Sequence, residues 1–206
     1  MTKIISWNLL HLTGASVNDV AALARREQPD LLLMQEATEE MDRLPDLLGG
    51  HYARLPLPGR IHGLAMWQPT VFLAPPVTLK LQAGALYQRV AQILDLGAFS
   101  VANVHLSHGQ VLNRRQLSRI AQALPPRAAV LGDYNLVGPT MVSGFHDVGP
   151  RRPTHVAADI MPLRLDRCLV RGLRCTRANV LPREASDHHP IVVSLEILAI
   201  VGAAAA

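Results

Sequence analysis

Short apolar runs that stop at a polar residue recur along this chain and set its expected elements. Residues 3–7 interleave polar and apolar positions, as a half-buried strand does, and end at Trp7-Asn8. Ser16, with Asp19 three positions on, predicts a helix N-cap. Val17, Val20, Ala21 and Ala24 then recur at helical spacing until Pro29. Leu31-Leu32-Leu33-Met34 is a continuous apolar run that fits a fully buried strand, and it ends in Gln35-Glu36. Thr38 is expected to cap a second helix carrying Met41, Leu44, Leu47 and Leu48, closed by Gly49-Gly50.

From 51 to 106 the texture changes to short strands divided by Pro and Gly. Residues 52–57 turn at Pro58-Gly59, and 63–67, 71–73, 77–81, 89–96 and 100–106 follow at hairpin spacing. The last ends in Asn103-Val104-His105-Leu106. A third helix is expected from about Asn113 to Pro125-Pro126. Leu117, Ile120, Ala121 and Leu124 share one face, with Arg114, Arg115 and Arg119 on or near the other. Residues 128–131 form another buried strand, ending in Gly132-Asp133-Tyr134-Asn135. A loop-rich stretch, 136–162, carries Arg151-Arg152-Pro153-Thr154, and 163–170 alternates enough to read as a strand. Ser186-Asp187-His188-His189-Pro190 leads into a final strand that starts Ile191-Val192-Val193. Residues 1–200 are expected to form one domain, with 201–206 a frayed tail.

Composition narrows the class. The chain has 206 residues, of which 49% are apolar, and no apolar run is long enough to cross a bilayer. The N-terminus reads as a strand and not as a signal peptide. The two cysteines, Cys168 and Cys175, make neither a disulfide framework nor a metal-ligand cluster. A reduced, cytoplasmic setting is the expectation. Charge adds more. Of the 20 basic residues 18 are arginine, a side chain suited to bidentate binding of phosphate. Residues 1–103 hold 8 bases and 9 acids, whereas 104–206 hold 12 and 7. Either the composition is simply arginine-rich, or the second half presents a phosphate-binding face.

The polar residues at strand ends are the candidates for chemistry, each with a plainer alternative. Glu36 is either an exposed carboxylate or, with Asn8, one of two oxygen donors for a hard cation such as Mg²⁺. Asp133 and Asn135 share one face if the strand persists, or build a turn. His105 is a structural histidine or a site residue, and His108 is expected at the surface. Asp166 stands where an aliphatic residue would be expected, and a buried acid needs a partner, for which His188 is the obvious candidate. Such a pair fixes a tautomer and stabilises the imidazolium of an acid/base histidine. Asp187 can face a metal or a backbone N–H. His189 should point away from His188 and pack.

Taken in order, Trp7-Asn8, Gln35-Glu36, Asn103-Val104-His105-Leu106, Gly132-Asp133-Tyr134-Asn135, Arg164-Leu165-Asp166 and Ser186-Asp187-His188-His189-Pro190 resemble the endonuclease/exonuclease/phosphatase superfamily. That group includes exonuclease III-like enzymes, pancreatic-type deoxyribonuclease, sphingomyelinases and inositol polyphosphate 5-phosphatases. The likeness spans 3–195. It implies an α/β fold, a four-layer α/β/β/α sandwich with two central, mostly antiparallel sheets, and a phosphoester hydrolase dependent on Mg²⁺ or Mn²⁺. Carried over residue by residue, it makes Glu36, Asn8 and Asp187 the metal-side residues. His188 becomes the acid/base histidine and Asp166 its orienting partner. Asp133 and Asn135 would position the attacking water or the leaving group and the scissile phosphate, with either Asp133 or His188 the base, and His105 would contact a phosphoryl oxygen.

The departures bear on substrate. Leu9-Leu10-His11-Leu12 follows Trp7-Asn8 where apurinic-site endonucleases of the group carry a small polar turn with glycine and arginine. Aromatic residues are few, leaving little for base stacking or membrane insertion. Arg114, Arg115, Arg151 and Arg152 are the expected substrate-binding surface. The leading expectation is a monomeric nuclease acting on DNA or RNA. A phosphatase or phosphodiesterase on a small or lipid phosphoester comes next, and an inactive binding module of the same fold last.

Overall fold

Side-chain alternation decides what each strand faces. Strand β1 (Thr2–Asn8) sends Ile5 and Trp7 into one apolar cluster and Ile4 into another. The computed structural model describes residues 1–84, 88–158 and 160–198; the tail expected to fray lies outside the described residues, as does Tyr87. Helix α1 (Val17–Glu27) follows, then β2 (Leu31–Ala37), α2 (Leu44–Leu48), β3 (His51–Pro56), β4 (Gly63–Gln68), β5 (Val77–Lys80), β6 (Val90–Asp95) and β7 (Ser100–His105). Helix α3 (Gln110–Ala123) leads to β8 (Ala128–Asp133), β9 (His146–Asp147), β10 (His155–Ala157), β11 (Met161–Leu163), β12 (Asp166–Arg171), β13 (Leu173–Val180) and β14 (Ile191–Ile197).

The strands form two six-stranded sheets, ordered β13-β14-β1-β2-β4-β3 and β5-β6-β7-β8-β12-β9, beside a small β10–β11 pair. Adjacent pairs are antiparallel except β1–β2 and β7–β8, which are parallel. Four layers result. Val17, Val20 and Leu23 of α1 pack on Trp7, Met34 and Trp67 outside the first sheet. Leu31, Leu33 and Val193 meet Val101, Leu131 and Val170 between the sheets. Leu117, Ile120 and Leu124 of α3 cover Val104, Val130 and Leu169 outside the second. This is the sandwich the resemblance implies.

One polar bridge crosses the apolar middle. Gln35 Nε2 donates to Ser6 Oγ (3.1 Å) and to Asn103 Oδ1 (2.7 Å). Asn103 Nδ2, from the opposite sheet, donates to the carbonyls of Met34 and Ala65, each at 3.0 Å. A buried amide so placed fixes how one sheet sits on the other, because any slide breaks several bonds at once.

The local expectations fare unevenly. Ser16 does cap α1, with the reciprocal Asp19 capping box. Thr38 makes no side-chain cap bond, and its segment opens as a 3₁₀ turn, Glu39–Arg43, before α2. Residues 71–73 are not a strand; Val71 and Leu73 are exposed, and Pro75-Pro76 follow before pairing resumes. The third helix begins earlier than expected, at Gln110. The stretch 136–162 contains β9, β10 and the start of β11. The strand expected over 163–170 is split, because Arg164 turns aside to bind Asp147 through Nη1 and Nη2 at 2.8 and 2.7 Å. Strand β13, at the sheet edge, was not anticipated. Both cysteines are free.

Replacing Asn103 with leucine removes the donor for two buried carbonyls and one partner of Gln35. The expected loss is about 3 kcal/mol, which at this size lowers Tm by about 6–12 °C. Calorimetry of Asn103→Leu checks it, and an unchanged Tm would show the bridge to be dispensable.

Candidate active site

The polar residues at strand ends meet where the two sheets share an edge. Asn8 (end of β1), Glu36 (β2) and His188 (before β14) come from the first sheet. His105 (end of β7), Asp133 (β8) and Asp166 (β12) come from the second. Four pairs cross the seam: Asn8 Nδ2 donates to Asp133 Oδ2 (3.0 Å), His188 Nδ1 bonds Asp166 Oδ2 (2.8 Å), His188 Nε2 lies 3.7 Å from Asp133 Oδ2, and His105 Nδ1 lies 4.0 Å from Glu36 Oε1. Above them opens a cleft of about 550 Å³ lined by Asn8, Glu36, His105, Asp133, Asn135, Asp187 and His188.

Asp133 is the hub. Its Oδ1 accepts from the Asn135 backbone N–H (2.8 Å), while Oδ2, besides Asn8, lies 3.5 Å from His105 Nε2 and 3.7 Å from His188 Nε2. Burial alone would push its carboxyl up, but His188, His105 and the hydrogen bonds from Asn135 and Asn8 bring it below the usual carboxylate value. Gly132 makes the approach possible, since a Cβ there would stand 1.9 Å from the Val104 carbonyl oxygen on β7. Asn135 adopts φ +48°, and its Nδ2 donates to the Leu106 carbonyl (3.0 Å). The strand does not persist: β8 ends at Asp133 and Asn135 builds the turn that was the plainer alternative, which still brings both residues to the cleft, with Tyr134 turned into the α3 core.

His188 is anchored on every side. Trp7 Nε1 donates to its carbonyl (3.0 Å), and its backbone N–H donates to Ser186 Oγ (3.1 Å). Ser186 Oγ in turn donates to the Asn8 carbonyl (2.7 Å). Asp166 is fixed from behind, because Thr154 Oγ1 accepts the N–H groups of both Leu165 (3.1 Å) and Asp166 (2.9 Å). Burial would lower the imidazole's pKa, yet Asp166 and Asp133 overcome it and raise His188 to about 10. Burial in turn pushes Asp166 up, against the pull of His188. His105, whose dominant influence is burial, falls to about 4. One neutral imidazole and one imidazolium therefore flank the Asp133 carboxylate near neutral pH. His189 points elsewhere and bonds the Leu181 carbonyl through Nδ1 (3.1 Å).

Glu36 reaches the cleft through a bulge. The β2–β4 register shifts between Gln35 and Ala37, and Glu36 takes φ +57°, a strained conformation for a residue with a Cβ. Its Oε2 accepts from the His11 backbone N–H (3.2 Å) and contacts His11 Nδ1. Burial would raise its pKa, but His105 and His11 hold it below the ordinary value, so it presents an anion suited to a hard cation. Asn8 fits less fully, because its Oδ1 already accepts from the Leu10 N–H (3.1 Å). Asp187 stands across the cleft, 3.7 Å from His155 Nδ1. Among the described residues, the carboxylates and imidazoles that converge within 4.8 Å are Asp133–Asp166–His188 and His155–Asp187–His188, with no set that includes Glu36. The first set is accounted for by the Asp166–His188 hydrogen bond.

The expected arginines lie elsewhere. Arg114 and Arg115 stand on α3, Arg151 leans on Asp147, and Arg152 lies in a separate hollow with His189. Arg60 and Arg89 line the cleft instead. Histidine is the other residue type missed: six of the nine in the chain line the cleft, among them His11, His62 and His155. His11 carried a signal, being the polar residue within Leu9–Leu12; His155 lay in a stretch read as loop.

Both buried imidazoles make stability depend on pH. His105, with folded pKa about 4 against 6.5, contributes stability fully present above 6.5 and lost as pH falls toward 4. His188, with folded pKa about 10, contributes stability fully present below 6.5 and lost as pH rises toward 10. The metal-stripped protein should be most stable near pH 6.5, with each limb no steeper than about 1.4 kcal/mol per pH unit. Urea unfolding in EDTA measures this. His105→Gln should flatten the acid limb and His188→Gln the alkaline one; a level wild-type alkaline limb would refute the His188 assignment.

Comparison with known proteins fits this geometry. The family model described as Endonuclease/Exonuclease/phosphatase family matches residues 5–188. No curated protein matches the sequence. Among solved structures, an endonuclease/exonuclease/phosphatase from Bacteroides vulgatus superposes with TM-score 0.79 at 17% identity, covering 95% of this chain and 98% of that one. A mannosyl-6-phosphatase from Bacteroides thetaiotaomicron gives TM-score 0.75 at 18% identity, covering 96% and 100%. Truncated TDP2 from Caenorhabditis elegans gives 0.70 at 20%, covering 94% and 96%.

Proposed function

This chain belongs to the Endonuclease/Exonuclease/phosphatase family, whose members act on phosphoesters, and we propose that it is a divalent-metal-dependent phosphodiester hydrolase. The observation that carries this reading is the arrangement at the seam. A buried carboxylate kept charged, Asp133, lies within reach of an imidazolium, His188, whose other nitrogen is tied to Asp166.

In this mechanism a water enters the cleft beside Asp133, which orients it and takes its proton as the oxygen bonds phosphorus and the P–O bond to the ester oxygen breaks. His188 directs its Nε2–H at a phosphoryl oxygen and offsets the charge that grows there. Asp166 accepts from Nδ1–H and so keeps that imidazolium charged and in one orientation. Asn135, held by Leu106, positions the phosphate, and neutral His105 offers a further N–H. Arg60 and Arg89 add positive charge where the phosphate enters. Glu36, with Asn8 beside it, would hold the Mg²⁺ or Mn²⁺, which when bound polarises the phosphoryl group and offsets charge on the leaving oxygen.

His188→Ala and Asp133→Ala should each lower turnover by roughly 10³-fold or more while leaving a cooperative unfolding transition. Asp166→Asn should fold nearly as well and lose rate almost as severely, since without that carboxylate the His188 ring is no longer held charged and is free to adopt the wrong tautomer. Steady-state kinetics on a chromogenic phosphodiester, with and without EDTA, measures all three. Full activity in either alanine variant, or in EDTA, would overturn the assignment.

Substrate is the finer question. The expected nuclease reading drew on arginines that do not line the cleft, although Arg115 and Arg119 are exposed on α3. The bounded cleft favours a second reading, a small phosphoester, because a volume of about 550 Å³ suits a group the size of a typical small ligand. Plasmid, single-stranded DNA, RNA, a sugar phosphate and a chromogenic phosphodiester, offered in parallel, separate them. Cleavage confined to the small substrates would retire the nuclease reading, and cleavage of polymers alone the other.

A further inference from the structure

His155 has no part in the mechanism above, yet its surroundings are built. Its ring lies against that of His188 with centroids 4.3 Å apart and planes at 44°. Its Nδ1 is buried and makes no hydrogen bond. That nitrogen lies 3.7 Å from Asp187 Oδ2. The backbone stitches the two segments together: Val156 N–H donates to the Asp187 carbonyl (3.1 Å), and His189 N–H donates to that of Thr154 (2.7 Å). His155 and His188 also form an isolated β-bridge. Each of His155, Asp187 and His188 offers one ligand atom, all within 4.8 Å of one another.

The donor set decides which ion fits. Two imidazoles and one carboxylate suit Zn²⁺ and its neighbours, whereas Mg²⁺ takes oxygen ligands and keeps its waters. Around a tetrahedral zinc with bonds of about 2.0–2.1 Å, ligand atoms stand roughly 3.3–3.5 Å apart, so the set, now within 4.8 Å, would draw in on binding. Because His188 Nδ1 is held by Asp166, the nitrogen available to an ion is Nε2, whose imidazole is thereby oriented as in many histidine–metal sites. We propose that His155, Asp187 and His188 form a Zn²⁺-type site, distinct from the Mg²⁺ position at Glu36, and that its occupation inhibits turnover. Inhibition follows because the ion replaces the proton on His188 Nε2, the atom that would serve the phosphoryl oxygen. This second half rests on the role assigned to His188; the binding half does not.

Two measurements test it. In the first, metal-stripped protein competes with a chromophoric chelator for Zn²⁺, and Co²⁺ is added separately to read the visible absorption of a tetrahedral site. Wild type should take up one tight Zn²⁺, and His155→Phe, which keeps an aromatic ring against His188, should bind about 100-fold more weakly. His155→Gln serves as the second variant should the phenylalanine fail to fold. In the second, Zn²⁺ should inhibit turnover at saturating Mg²⁺, and His155→Phe should lose that inhibition relative to its own rate in Mg²⁺ alone. Zn²⁺ affinity unchanged in both variants would overturn the site. Inhibition relieved by raising Mg²⁺ would place the ion at Glu36 instead, and would equally overturn it. If no phosphoester is cleaved at all, the hydrolase reading fails by itself, while the chelator titration still decides the metal site.

Discussion

A carboxylate with almost no contact with solvent is an expensive object, and Asp133 is one. Removing such a charge from water costs several kcal/mol unless donors surround it. Here they arrive from separate parts of the chain: an amide from β1, a backbone N–H from the turn after β8, and two imidazoles from β7 and from the segment before β14. Each donor sits at the end of a strand whose apolar body is locked in a core. The charge is tolerated only because the sandwich is assembled, and the chemistry follows from the same fact. An anion kept below its ordinary pKa beside a cation kept above its own is a preorganised field, ready before any substrate arrives.

That arrangement demands that two sheets keep one relative position. A slide of an ångström or two would part Asp166 from His188 and Asn8 from Asp133, since each pair has one member on each side of the seam. Apolar packing between the sheets supplies attraction without direction. The Gln35–Asn103 bridge supplies direction, binding two backbone carbonyls of the first sheet to a side chain of the second. It lies on the same strands that end in Glu36 and His105, a few residues from the site it aligns. The bulge at Glu36 complements it: the strand that carries Gln35 inward must skip a beat to deliver the next side chain to the cleft.

Most of the residues that meet at the seam were legible because polar residues ending apolar runs are few and each needs a reason. Asp166 and His188 could be paired from sequence since a buried acid requires a partner, and the structure joins them. What sequence did not reveal has physical causes too. Strand β13 is an edge strand whose Arg174 and Arg177 interrupt any apolar pattern, so periodicity passed over it. Residues 71–73 looked like a strand because three apolar side chains in a row carry no record of whether a neighbour exists to pair with. Arg60 and Arg89 sit on or beside irregular segments, and their convergence depends on how two distant hairpins fold over the cleft. His155 belongs to a three-residue strand, too short for any pattern. The buried bridge through Asn103 was hidden in a motif noted for its histidine.

The pairing of β1 with β14 sets when the protein becomes competent. Thr2 stands opposite Leu195 and Ser6 opposite Ile191, so β1 waits for a strand made much later in synthesis. Until then β1 has one edge open, Trp7 has no carbonyl to bond, and the Asn8 carbonyl lacks its serine. His188 precedes that closing strand by only three positions. On the ribosome, which adds about 5–20 residues each second, a growing chain therefore carries its acids and its other imidazoles for several seconds without the residue that completes them. The alignment arrives late, when β14 docks, and a chain cut short before it would hold most of the cleft residues without the contacts that order them.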